Sequence, residues 1–206
     1  MIGSDESIMK SIHGVCDEEW GARIVDSDFV LGVKRVVSQD KITGERECEM
    51  TMAAFIDNLV QTYAEHLDTK PVNTPFPEKE FISKDKSAIT DEESQRYMDL
   101  GYQSRVGSLL WCSRNVFVEC ALGTSFLCKR MAKPNKTAWV AALHMLKWLK
   151  ANRERGLRFS SGQNTVPVAF SDASGDEDPA DCLVQAGHCA MVAGGPIIYN
   201  SQKLKH

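Results

Sequence analysis

The spacing of apolar positions changes several times along the chain, and each change predicts an element. From Phe29 to Val37 the run Phe-Val-Leu-Gly-Val-Lys-Arg-Val-Val is rich in β-branched residues and predicts a strand, ending in a turn at Ser38-Gln39-Asp40 with Gly44 inside it. Arg46 to Met50 predicts a second strand that pairs back as a hairpin, with Thr51 capping the helix that follows. In that helix Met52, Phe55, Ile56, Leu59, Val60 and Tyr63 recur at helical spacing and form one apolar stripe. Pro71, Pro75 and Pro77 then break any period between Asp68 and Ile89, which predicts an exposed linker. Thr90 and Glu93 have the spacing of a capping box and predict a helix running toward Met98. Val106 to Trp111 predicts another helix and Val116 to Met131 a third, with Cys112, Cys120 and Cys128 recurring every eight residues as small buried side chains.

Pro134 and Asn135 precede a further helix, in which Trp139, Ala142, Leu143, Leu146 and Leu149 follow the 3.6-residue period and Gly156 is the expected terminator. Beyond Gly162 the pattern becomes strand-like. Val166 to Phe170 predicts a strand, Ser171 to Pro179 an acidic turn, and Leu183 to Ala193 and Pro196 to Asn200 two strands joined by Gly194-Gly195. The expectation is an antiparallel meander opening a second domain. Residues 1–28 are polar and acidic without a period and predict a poorly ordered segment, so the expected organisation is 1–28, 29–160 and 161–206.

Composition narrows the class without deciding it. The 206 residues are 43% hydrophobic and 25% charged, ordinary values that exclude a coiled coil, a collagen and a disordered tail. No secretory signal opens the chain, and the longest stretch without Asp, Glu, Lys or Arg, Leu183 to Gln202, holds three glycines, Pro196 and Asn200, so neither secretion nor a membrane span is expected. The seven cysteines include no C-x-x-C pair and read as reduced thiols of an intracellular protein; Cys182, His188 and Cys189 match no zinc spacing. Five acids between Asp172 and Asp181 do not have the spacing of a calcium loop.

Charge distribution is more informative than the net charge of -4. Between Lys129 and Arg158 stand nine cations against Glu154 alone, a segment of +8 in an otherwise acidic chain. Segregated basic charge is the expected footprint of phosphate-backbone contact, and cations near a helix C-terminus are equally expected from the helix dipole. Lys147, Lys150, Arg153 and Arg155 are the candidate phosphate contacts.

Several stretches, in order, resemble the C-terminal part of a copia-type retrotransposon Pol polyprotein, where reverse transcriptase runs into RNase H. Tyr102-Gln103-Ser104-Arg105-Val106-Gly107-Ser108-Leu109-Leu110-Trp111 is similar to the family's Tyr-x-Ser-x-Val-Gly-Ser-Leu-Leu-Tyr. Phe29 to Val33, Thr74-Pro75-Phe76, Met131 to Trp139, Leu146 to Lys150 and Phe170-Ser171-Asp172-Ala173 resemble further family segments, as do Gly194 to Ile197 and Ser201 to Lys203. Asn115-Val116-Phe117 departs from the family's Pro-Asp-Ile, and Ala138 stands where the family has His. No two aspartates are adjacent, so the polymerase Tyr-x-Asp-Asp turn is not in this chain.

The resemblance implies an α+β fold: a helical thumb or connection region with a small hairpin, followed by an incomplete RNase H-like antiparallel meander. Asp172 matches the first RNase H carboxylate and would be both a catalytic residue and a ligand of Mg2+ in the parent enzyme. The remaining carboxylates would fall beyond His206, so the expected fragment grips an RNA–DNA or DNA template–primer duplex beside the rest of the Pol polyprotein and binds no Mg2+ alone. The alternative is a non-catalytic nucleic-acid-binding or assembly module derived from a decayed element. The bland reading of Asp172 is a turn carboxylate, and that of Trp139 and Trp148 is core packing.

Overall fold

The computed structural model describes residues 28–68, 70–77, 89–175 and 184–203. The expectation for residues 1–27, most of the linker after Pro77 and the acids from Asp176 to Asp181 therefore lies outside the described residues.

The Phe29–Val37 run is not one strand. It folds back on itself as β1 (Phe29–Val30) and β2 (Val33–Gln39), joined at Leu31 and Gly32 with φ of 53° and 84°. Two successive left-handed residues make the two-residue turn whose twist suits a hairpin. Gly32 supplies one at no steric cost, and Leu31 is held by its carbonyl, which accepts a 3.1 Å hydrogen bond from the Trp111 indole. The β2 to β3 (Arg46–Thr51) hairpin is as expected, its turn organised by Asp40, whose carboxylate accepts the Ile42 and Thr43 amides at 2.7 and 2.8 Å. Those amides hold the Asp40 carboxyl below the ordinary range.

Helix α1 (Ala53–Thr62) buries Ile56 and Leu59, but its N-cap is Met52, not Thr51, which stays in β3. Helix α2 (Asp91–Asp99) follows. Thr90 caps it by accepting the Glu93 amide at 3.1 Å, while the Glu93 carboxylate accepts the Lys136 amide at 3.1 Å and ties α2 to a later helix. Helix α3 (Tyr102–Asn115) extends further both ways than the Val106–Trp111 segment predicts. The expected third helix is broken into a 3-10 turn at Val118–Cys120 and α4 (Ala121–Cys128).

Helix α5 (Lys136–Ala151) is the centre of the core. Ala138, Trp139, Ala141, Ala142, Met145, Leu146, Trp148 and Leu149 are all buried, so the helix is covered on most of its circumference by α1, α2, α3 and α4. Asn135 caps it, accepting the Ala138 amide at 2.9 Å. It ends at Asn152, and Gly156 does not terminate it: Gly156 opens β4 (Gly156–Ser160), which pairs with β3 from Thr51↔Gly156 to Glu47↔Ser160. A Cβ at Gly156 would stand 2.5 Å from the Met50 carbonyl oxygen, which is why glycine fits there. The first sheet is therefore antiparallel with order β1-β2-β3-β4.

The second sheet is the expected three-stranded antiparallel meander, β5 (Val168–Gly175), β6 (Val184–Val192) and β7 (Gly195–Lys203). Its β6–β7 turn is Ala193-Gly194, with φ of 53° and 83°, one residue earlier than the expected Gly194-Gly195. The Ser160 amide donates to the Ala193 carbonyl at 2.8 Å and joins the two sheets at this turn. The strand predicted to end at Phe170 continues through Ser171 to Gly175, because each of those residues finds a partner on β6. Among the described residues, five α-helices and two antiparallel sheets make a mixed α+β architecture.

Candidate functional site

The four candidate phosphate contacts gather where α5 ends, a position the helix dipole favours for cations. Three of them carry carboxylate partners from other elements. Lys147 Nζ lies 2.9 Å from Asp68 Oδ1, with the Lys147 side chain only 17% exposed. That ammonium, together with the Lys70 amide, holds the Asp68 carboxyl below its ordinary range. Arg153 Nε lies 3.2 Å from both Asp57 Oδ1 and Glu154 Oε1. The Arg155 guanidinium reaches Glu119 Oε1 at 2.8 Å and stands 5.7 Å from the Trp148 ring centre. Lys150 is exposed and makes no ion pair among the described residues. The four cations thus lie along the C-terminal half of α5 and the residues just after it, and three of them are paired with carboxylates from separate parts of the fold.

Asp172 lies within β5 opposite Gly187, not in a turn. Its side chain is exposed, and Oδ1 accepts the Ala173 amide at 2.9 Å. Among the described residues no group of three or more His, Cys, Asp or Glu side chains converges at Asp172 or anywhere else. A two-metal site needs several carboxylates around each ion, so the described residues do not fit Mg2+. His188 and Cys189 are successive on β6 and point to opposite faces of the sheet, which separates them as co-ligands, and Cys182 lies outside the described residues.

Cys112 and Cys120 are fully buried and Cys128 half-buried, all three as free thiols. Burial pushes the Cys112 thiol up to about 12, and Cys120 further up, with the Glu119 carboxylate and Cys112 adding to it. These are protonated packing groups at neutral pH.

Trp139 and Trp148 are buried in the core at 7% and 4% exposure. Trp139 meets His66 edge-on and Tyr97 at a tilt, with ring centres at 5.4 and 5.7 Å. It also forms one wall of an arrangement absent from the expected core. Arg105 is fully buried between the Trp139 ring, 3.7 Å from its guanidinium carbon, and the Tyr63 ring at 3.9 Å, and none of its three guanidinium nitrogens has a hydrogen-bond partner. Burial pulls its pKa down to about 10. The helical period carried a signal for this residue: Arg105 lies on the α3 stripe of Tyr102, Val106, Leu109 and Cys112, a row that faces inward.

No family model and no solved structure matches the chain. Two transposon-encoded proteins do. Over all 206 residues the chain is 21% identical to a retrovirus-related Pol polyprotein from transposon TNT 1-94 of Nicotiana tabacum, of which it spans 15%. Over 104 residues, half of the chain, it is 28% identical to a transposon Ty5-1 protein of Saccharomyces cerevisiae, covering 34% of that protein. The chain therefore spans a small part of either relative, and the relationship these similarities support is to a retrotransposon Pol polyprotein.

Proposed function

We propose that the chain is a piece of a copia-type retrotransposon Pol polyprotein, from the end of the reverse transcriptase into the start of the RNase H, and that this piece grips template–primer duplex without being catalytic alone. The observation that carries the reading is the similarity to a transposon Pol polyprotein along the whole chain. The order of the family-like segments, from Tyr102–Trp111 to Phe170–Ala173, supports the finer placement. In this reading Lys147, Lys150, Arg153 and Arg155 contact backbone phosphates without sequence preference. The ion pairs of the exposed Arg153 and Arg155 are no obstacle, because solvent-exposed pairs contribute only about 0–1 kcal/mol each and yield to a denser anionic partner. The other partner is the rest of the polyprotein inside the cell. Asp172 is the first nuclease carboxylate in the parent, where Mg2+ would be recruited by a fuller ligand set than the described residues supply.

Duplex affinity measured by fluorescence anisotropy against salt concentration tests the reading. Each neutralised phosphate adds about 0.9 to the slope of log affinity against log salt. Four contacts set an upper bound of about 3.6 on the slope, of which Lys150 supplies about 0.9. Lys150→Ala with Arg155→Ala is expected to lower the slope by about 1–2. Absence of binding at low salt, or a slope that the double variant leaves unchanged, would refute the grip. Incubation of the chain with RNA–DNA hybrid and Mg2+ is expected to leave the RNA intact.

A further inference from the structure

Away from the α5 cations, a crevice of about 200 Å³ lies between the α3–α4 corner and β7. Its polar lining includes Arg114, Ser125, Tyr199 and Ser201 beside Asn200 and Gln202, and no carboxylate lines it. The nearest acid acting on Tyr199 is Glu119, which is already engaged by Arg155 at 2.8 Å.

Accounting for the polar atoms shows what the crevice lacks. Ser113 donates to the Leu110 carbonyl at 3.0 Å and Thr124 to the Cys120 carbonyl at 3.0 Å, so both hydroxyl protons are used within the helices. The Gln185 side-chain amide lies 2.9 Å from Ser201 Oγ and 3.5 Å from Ser125 Oγ, which places both serine hydroxyls beside one buried amide. The Tyr199 hydroxyl and Gln185 Oε1 are buried with no partner. The Arg114 side chain is exposed and makes no ion pair or hydrogen bond among the described residues, yet lies close enough to favour ionisation of Tyr199 and Cys128. Burial nevertheless pushes the Tyr199 hydroxyl up to about 12, so it is a donor at neutral pH.

One exposed guanidinium without a partner, one buried hydroxyl without a partner and two serine hydroxyls thus line one cavity. The buried Tyr199 hydroxyl has no partner and the Arg114 guanidinium stands exposed beside it, so an anion with several acceptor oxygens would satisfy both at once. A carboxylate has two oxygens, whereas a phosphoryl group offers three to the same donor set and accepts the arginine fork in bidentate fashion. We propose that this crevice binds a phosphoryl group, held by Arg114 and capped by the hydroxyls of Ser125, Tyr199 and Ser201. Two sources carry that group: free orthophosphate or a mononucleotide, and the backbone of a polynucleotide. None of the four α5 cations lines the crevice, so the site does not rest on the duplex-grip reading.

The test is a ¹H–¹⁵N NMR titration of the whole chain with inorganic phosphate at constant ionic strength. Saturable shifts are expected at the amides of Ser113, Arg114, Ser125 and Tyr199 to Ser201. A hydrogen bond to a charged group is worth about 1.5–3 kcal/mol, so Arg114→Gln is expected to weaken the affinity about tenfold or more. Tyr199→Phe, which removes only an oxygen, is expected to weaken it severalfold, and circular dichroism checks that both variants keep the fold. Shifts that never saturate, or a saturation curve that Arg114→Gln leaves unchanged, overturn the proposal. Competition separates the sources: a DNA duplex that displaces phosphate identifies the backbone, and phosphate that saturates regardless of duplex identifies the free anion. A chain that binds phosphate here but no duplex at low salt refutes the grip and leaves this site standing.

Discussion

Arg105 is the residue whose replacement separates two accounts of the core. A buried arginine can be a liability tolerated for other reasons, or a staple held by the rings around it. Its pKa falls from 12.5 to about 10, burial lowering it and Tyr63 partly restoring it, so together these disfavour the charged form by about 3 kcal/mol at about 1.36 kcal/mol per pH unit. Against this stand two ring faces, Trp139 at 3.7 Å and Tyr63 at 3.9 Å. Tyr63 is already counted in that shift, and the Trp139 face adds a desolvated cation–π contact of about 2 kcal/mol, which leaves a difference of about 1 kcal/mol. The opposing effects nearly cancel. Arg105→Met, which keeps an unbranched stem between the rings and removes the charge, is therefore expected to change stability by no more than about 1 kcal/mol. Arg105→Ala leaves a cavity between Tyr63 and Trp139 and is expected to cost about 3–5 kcal/mol, as other large-to-small core changes do. Urea denaturation of the single variants, with a double-mutant cycle on Trp139→Leu, supplies the measurement. The cycle is expected to return a coupling of about 2 kcal/mol between Arg105 and Trp139. A coupling below about 0.5 kcal/mol would show that the ring holds no net attraction for the guanidinium. An Arg105→Met cost above about 3 kcal/mol would show that the balance omits a partner for the charge.

Three further outcomes follow from the same structure. Burial raises the Cys112 thiol from 9.0 to about 12, so its contribution is complete below pH 9 and is lost as pH rises toward 12, where the unfolded chain ionises first. The loss is about 1.4 kcal/mol per pH unit in that window, and thermal melts at pH 8.5 and 10.5 are expected to show a smaller drop for Cys112→Ala than for the native chain. Asn135 is 3% exposed and accepts the Ala138 amide at 2.9 Å. Asn135→Ala is expected to cost about 1–2 kcal/mol by chemical denaturation, and Asn135→Asp to recover most of it. Gly32 has φ of +84°, and an added Cβ would stand 2.9 Å from Phe55 Cδ2. Gly32→Ala is expected to cost about 1–3 kcal/mol, and a neutral result would mean that the β1–β2 turn is not formed as described.

Elements whose determinants are local were legible in the sequence. The stripe from Met52 to Tyr63, the caps at Thr90 and Asn135 and the meander each depend on residues a few positions apart, and the structure reproduces them. Elements that depend on distant partners were not. β4 is a five-residue Gly-Leu-Arg-Phe-Ser segment with no strong period of its own, and it is a strand because β3, more than a hundred residues earlier, offers it an open edge. The β1–β2 turn was hidden for a different reason: Leu31 continues the apolar run, and only the pairing of Val30 with Val33 shows that the chain reverses there. Arg105 sits on an inward stripe of α3, but an arginine alone gives no sign of burial, which depends on the Tyr63 and Trp139 rings that the fold brings to it.

The basic segment illustrates how charge read along a chain differs from charge in space. Between Lys129 and Arg158 the formal excess is +8. Five of its cations, Lys133, Lys147, Arg153, Arg155 and Arg158, pair with Asp91, Asp68, Asp57, Glu119 and Glu49, acids that all lie outside the segment. Counting those five acids reduces the local excess to +3. Acids that looked remote in sequence were folded onto the cations, so segregation in sequence became interleaving on the surface. A polyanion approaching α5 must therefore displace carboxylates at Lys147, Arg153 and Arg155, while at Lys150 it displaces none among the described residues. Since exposed ion pairs weaken as salt rises, as phosphate contacts do, each displaced carboxylate offsets part of the counterion release its cation would otherwise give. The measured salt slope should then fall below about 3.6 even with all four cations engaged, and Asp68→Asn or Glu119→Gln should raise it toward that value if these cations hold the duplex.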